Sequence, residues 1–197
     1  MAKLLNAGVA PQSVSGALFN GAGELLMQAP GILAIHAVTF TNAAHYLWQR
    51  VQSDETRRLL LLQNAAFLPL YRGNREDQKS LHIDGLEPLA PEAKGDEAVA
   101  EIFADVSKDR LTAARKVLGY LQDHPSPKPF ADAARRLVFL KGRNAHDYKF
   151  SSAVFEDSER LPAPWRDRLL AASVYYLRGS GEADNELVKR TRTALGA

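Results

Sequence analysis

The chain has 197 residues, of which 46% are hydrophobic and 24% charged, and these fractions exclude a disordered or a fibrous protein. Lysine and arginine number 25 against 23 acidic residues, and so small a basic excess argues against a nucleic-acid partner. The chain has no cysteine, which excludes disulfides and thiolate metal sites and is typical of a reducing compartment such as the cytoplasm. We expect a cytoplasmic globular protein with one domain over residues 1–197.

No segment has the pattern of a secretory signal peptide. The longest apolar stretches, residues 31–40 and 59–71, are too short to cross a bilayer as a helix. We therefore expect no membrane partner.

Apolar residues recur with the helical period along nearly the whole chain, and no strand-like alternation is apparent. The pattern predicts helices over residues 12–28, 31–51, 54–67, 96–105, 108–123, 130–140, 145–160, 164–177 and 185–195. About nine helices without strands make the fold class all-α, an irregular bundle. The helix over residues 31–51 is apolar nearly all round, which predicts a central position in that bundle.

Two segments depart from this pattern. Residues 72–95 are polar and contain several Pro and Gly residues, which predicts a long loop that serves as a lid, a linker or a subunit contact. Residues 1–8 resemble the last turn of a helix closed by Gly8. Two interpretations stay open: a short N-terminal helix, or the C-terminal half of a larger or two-subunit protein.

Among the five histidines, His36, His45 and His146 lie inside apolar helical stretches. A buried imidazole must have its nitrogens hydrogen-bonded or bound to a metal. His36 and His45 are nine residues apart and therefore point to opposite faces of one helix. Each is either a core residue whose ring nitrogens are hydrogen-bonded or a metal ligand.

The segment that begins at Asn144 places His146 and Lys149 on one helix face, with Asp157 beside them. A lysine in apolar surroundings loses its charge more easily and can then react with carbon dioxide to give an anionic oxygen ligand. The alternative is a solvent-facing Lys149 that pairs with Asp147 or Glu156. The sequence has no phosphate loop or dinucleotide fingerprint, so we expect neither a nucleotide nor a flavin cofactor.

Two segments together resemble the questin oxidase-like family: Ile35-His-Ala-Val-Thr39, and Ala145-His-Asp-Tyr-Lys-Phe150 with the later Leu169-Leu-Ala-Ala-Ser173. The resemblance covers about a quarter of the chain. It implies a helical fold and oxidative opening of an aromatic polyketide ring. It also implies a non-heme Fe(II) held by His36, His146 and a carboxylated Lys149. The family's earlier histidine motifs have no counterpart here, which would be explained by a second subunit or by an inactive remnant.

The leading hypothesis is a non-heme iron oxygenase that acts on an aromatic or otherwise hydrophobic small molecule. Its interior site would use His36, His146 and Lys149 as metal ligands, with Lys149 and Asp157 in catalytic roles. Four nearby aromatic residues are candidate pocket walls: Phe40, Tyr46, Trp48 and Tyr148. The alternative is a non-catalytic helical scaffold or subunit that binds another protein or a second copy of itself.

Overall fold

The structure, a computed structural model, describes residues 1–72 and 80–196. Within them it contains no strand, and its ten helices are α1 (Ala2–Asn6), α2 (Pro11–Gln28), α3 (Ile32–Arg50), α4 (Asp54–Phe67), α5 (Asp96–Val106), α6 (Arg110–Asp123), α7 (Lys128–Lys141), α8 (Ala145–Ser158), α9 (Ala163–Ser173) and α10 (Glu186–Leu195). Two short 3-10 helices cover Leu68–Tyr71 and Ile83–Gly85. The predicted all-α bundle is confirmed, and each predicted helix is present with its ends shifted by at most a few residues.

Capping side chains set where several helices begin. Ser53 accepts a hydrogen bond from the backbone N–H of Thr56 at 3.3 Å, and Asp109 accepts one from Leu111 at 3.0 Å. Each cap satisfies an amide that the first helical turn leaves without a backbone partner. Proline opens α2, α7 and α9, a position where its missing N–H costs nothing.

The main core lies where α2 and α9 pack against the helices around them. It contains buried residues of α2, α3 and α5 to α9. Phe103 stacks on Phe130 with ring centroids 5.1 Å apart, and Phe130 meets Phe155 edge-on at 6.5 Å. These aromatic contacts join α5, α7 and α8 inside the bundle.

Helix α3 packs against α2, α4 and α8, but its fourth side is open to solvent. Ile32, Leu33 and Leu47 are each about half exposed. The expectation of a central position for this helix is therefore wrong. Its apolar residues continue around the helix beyond the faces that its neighbours cover.

The described part of the predicted loop, residues 80–95, lies against the body of the protein. Ile83 and Leu86 are buried in the core, and the Leu89 N–H donates to the Arg115 carbonyl at 2.9 Å. A Cβ on Gly119 would lie 2.3 Å from the Leu89 carbonyl oxygen, so only glycine allows this contact with α6. Residues 80–95 are thus packed rather than free to act as a lid, and residues 73–79 lie outside the described part.

A short helix and a glycine turn precede α2, as the sequence of residues 1–8 predicts. Helix α1 is a helix of five residues, and Gly8 follows it with φ of +79°. That left-handed conformation favours glycine.

Candidate functional site

A groove of about 400 Å³ runs between α3 and α8. Both helices turn polar side chains into it, and apolar residues form its floor. The lining residues are Ile35, His36, Thr39 and Asn42 of α3 with His146, Lys149, Ser152, Ala153 and Glu156 of α8. All three predicted metal ligands line this one groove.

The imidazoles of His36 and His146 meet inside the groove. Their ring centroids are 5.7 Å apart and their planes are inclined by 75°. Two imidazoles that bind one ion through bonds of about 2.1 Å have ring centres roughly 4.5–6.5 Å apart. The separation of the two ring centroids falls within this range.

The groove is a surface feature, and the expected interior location is wrong. His36 is exposed, His146 is half-buried, and Lys149 is exposed. Lys149 therefore lacks the apolar surroundings that would help it to lose its charge. The reason is visible in the spacing of α8, where Lys149, Ser152 and Glu156 form a polar stripe that faces away from the core.

Glu156 is the carboxylate that lines the groove. One of its oxygens lies 2.8 Å from the Arg160 guanidinium, so an ion that used Glu156 as a ligand would compete with this arginine. Among the described residues, no three His, Cys, Asp or Glu side chains are grouped closely enough to hold a metal ion. The chain itself thus offers two imidazoles, with Glu156 and Lys149 as groups that would have to rearrange or be modified.

Asp157 is not part of the groove, which corrects its expected catalytic role beside Lys149. It is fully buried on the inner face of α8, with its Oδ1 3.7 Å from His45 Nδ1. Phe150, Val154 and Asp157 follow the spacing of one helical stripe, and the first two are completely buried. That apolar stripe is the sequence signal that could have placed Asp157 in the core.

His45 is a core residue, which was one of its two predicted roles; the other was a metal ligand. Its ring stacks on Trp48 at 5.9 Å and meets Phe19 edge-on at 5.2 Å. Its Nε2 lies 3.4 Å from the Gln49 amide nitrogen. Its Nδ1 has no hydrogen-bond partner among the described residues, so this core histidine is only partly satisfied.

The Asp157 carboxyl is buried without a hydrogen bond. Neither oxygen has a partner among the described residues, since 3.7 Å is too long for one. Burial raises the pKa of Asp157, while the neighbouring His45 and Asn42 side chains oppose the rise. Burial therefore favours the neutral form of Asp157.

Asp147 is a second fully buried carboxylate on α8, and sequence reasoning missed its role. The Arg178 guanidinium donates to it at 2.7 Å, and the backbone N–H groups of Arg143 and Asn144 donate at 2.7 and 3.3 Å. Asn144 in turn caps the helix as the other half of a capping box. The spacing of Asn144 and Asp147 is the signal that could have shown this.

None of the four predicted wall aromatics lines the groove. Phe40 stacks on Phe67 at 5.1 Å, between α3 and α4. Arg50 covers the Tyr46 ring, Trp48 packs on His45, and Tyr148 lies beside Phe139 on the other side of α8. The groove is therefore more polar than predicted.

No protein-family model matches the chain, and no curated protein or solved structure matches it. Among the described residues, no helix is both long enough and apolar enough to cross a membrane.

Proposed function

We propose that this chain is an oxygenase-type oxidoreductase in which His36 and His146 bind one Fe(II) ion in the groove between α3 and α8. The observation that supports this most is the contact of their imidazoles at 5.7 Å. Two distant segments of the sequence bring these rings together. Bound there, iron would supply the means to activate dioxygen toward an organic substrate.

The ligand roles follow from the chemistry of the side chains. A neutral imidazole donates a nitrogen lone pair to the ion, and iron accepts such ligands readily. Lys149 in its ammonium form would repel a cation. If the ammonium loses one proton, its neutral Nζ can bond to the carbon of carbon dioxide, and release of a second proton from that nitrogen leaves an anionic carbamate that can bind through oxygen.

That modification would require Lys149 to leave bulk water. Because this side chain is exposed, the proposed carbamate requires that another surface cover the groove during function. Asp157 does not belong to the proposed site, because it lies buried behind the groove against His45.

The substrate we propose is a small molecule with a hydrophobic part. Small-molecule sites usually have volumes of about 300–1,000 Å³, and the groove measures about 400 Å³. Ile35 and the buried Ala153 provide its apolar floor. A cytoplasmic location accords with the absence of cysteine.

Metal titration without oxygen tests this proposal. We expect one Co(II), used as a spectroscopic probe for Fe(II), to bind per chain. His36→Ala and His146→Ala should each weaken its binding by at least about 10-fold. His82→Ala is the matched control, because His82 is 67% exposed and lies away from the groove. Absence of binding, or equal weakening in all three variants, would contradict the proposal.

A second candidate function is that of a non-catalytic subunit that binds another protein. The exposed apolar surface of α3 and α4 favours it. In this case the chain would bind no metal in the titration, and the His36 and His146 variants would resemble the unmodified protein.

A further inference from the structure

Helices α3 and α4 expose a set of large apolar side chains that the other described residues leave uncovered. We call it the outer face. Its exposed members are Ile32, Leu33 and Leu47 of α3, Leu59 and Phe67 of α4, and Leu70 of the following 3-10 helix. Their exposed fractions range from 36% at Phe67 to 69% at Leu70.

Helical spacing and one aromatic contact place several of these residues on a common surface. Leu33, Phe40 and Leu47 are seven residues apart along α3 and therefore share a stripe. Phe40 stacks on Phe67, which joins the middle of α3 to the end of α4. An apolar surface of this kind on a folded protein marks a place of contact.

The outer face carries no charge. Residues 32–49 contain no Asp, Glu, Lys or Arg, and neither do residues 59–71. In a two-fold symmetric dimer a surface patch meets its own copy. Charged residues in such a patch would often face residues of the same charge in the second copy. The outer face has no charged residue, so this repulsion does not arise.

Its area suits a dimer. The six side chains expose on the order of 600 Å², close to the roughly 800 Å² that each partner buries in a stable complex. Ala43 near the middle of α3 and Ala66 near the end of α4 are also exposed, and their small side chains would let the backbones approach closely.

We propose that a second copy of this chain docks on the outer face, so that two α3–α4 pairs pack against each other in a symmetric dimer. This inference does not depend on metal binding. His36 lies at the border of the outer face and the groove, so the second copy would stand beside the groove opening and reduce its contact with water.

Sedimentation equilibrium of the full chain tests the dimer over about 1–200 μM, a range that covers micromolar dissociation constants. We expect a species of twice the 21.7 kDa chain mass. Leu47→Asp and Leu59→Asp should each raise the dissociation constant by about 30-fold or more. Both side chains are about half exposed, so circular dichroism should show an unchanged fold.

The matched control is Leu187→Asp on α10, because Leu187 is 71% exposed and distant from the outer face in the sequence. It should leave the dimer intact. A chain that stays monomeric at the highest concentration overturns the inference, and so does a dimer that survives both outer-face variants. A monomer that binds anionic phospholipid vesicles through Leu47 and Leu59 also overturns it, since the occupant would then be a membrane surface.

The two proposals can fail separately. Leu59→Asp lies outside the groove and should bind Co(II) as the unmodified chain does, even as a monomer. His146→Ala should lose Co(II) binding and still dimerise, because His146 is not part of the outer face.

Discussion

Helix α8 has a fully buried aspartate near each end, and the two sites differ in the hydrogen-bond donors that surround the carboxyl group. Asp147 at the start accepts hydrogen bonds from Arg178 and from two backbone amides. Asp157 at the end has His45 at 3.7 Å and, within residues 1–72 and 80–196, no hydrogen-bond partner. Burial alone therefore does not show whether a carboxylate stabilises the fold, because this depends on the hydrogen-bond donors around it.

Removal of Asp147 should have the largest effect. Asp147→Ala leaves Arg178 with Glu182 alone and two backbone amides without an acceptor, so we expect a loss of about 3–4 kcal/mol in the free energy of unfolding. Urea denaturation measures it. Asp132→Ala is the control, because Asp132 is half exposed and its surface ion pairs should contribute little to stability. Similar losses in both variants would show that the donors around Asp147 do not stabilise it.

Asp157→Asn should act in the opposite direction. The substitution keeps the shape and removes the buried charge, so we expect the free energy of unfolding near pH 7 to rise by about 1 kcal/mol. Asp147→Asn, made in parallel, should be destabilising. If Asp157→Asn also destabilises, then His45 holds Asp157 as a stable ion pair.

The pH dependence of the stability gained by Asp157→Asn provides a second test. Because the pKa of Asp157 is raised in the folded protein, its neutral form stabilises the fold below the ordinary Asp pKa of about 3.9. That contribution is lost as the pH rises through the folded pKa. The difference between Asp157→Asn and the unmodified chain should therefore be small in acid and grow with pH.

The smallest effect is expected in the groove. His36 is exposed, so His36→Ala should change the free energy of unfolding by less than about 0.5 kcal/mol. His45→Ala, on the buried side of the same helix, should cost about 2 kcal/mol or more. Comparable costs would mean that His36 supports the fold and that any loss of metal binding in its variant is indirect.

Helix positions were largely predictable, because caps, prolines and the 3.6-residue period are local properties of the chain. The meeting of His36 and His146 was anticipated by the family resemblance, whereas spacing alone had left both residues ambiguous. Burial was predicted less well. α3 has the same apolar character on its covered and uncovered sides, so the pattern could not show which side faces water.

The roles of the α8 acids depended on partners far along the chain. The contact of Asp147 with Arg178 joins α8 to the turn after α9, and that of Asp157 with His45 joins α8 to α3. Such contacts arise from packing, which short-range spacing does not encode. The apolar stripe of Phe150 and Val154 and the capping pair at Asn144 were the available local signals.

The lack of charge on α3 and α4 also matters before the protein is folded. Residues 32–49 and 59–71 are long uncharged apolar stretches of the kind that aggregate when they are exposed during synthesis. The short segment between them contains Arg50, Asp54, Glu55, Arg57 and Arg58. Charged residues that flank such stretches reduce aggregation. The charged segment between α3 and α4 would therefore limit aggregation of the newly synthesised chain until these two helices pack against α2.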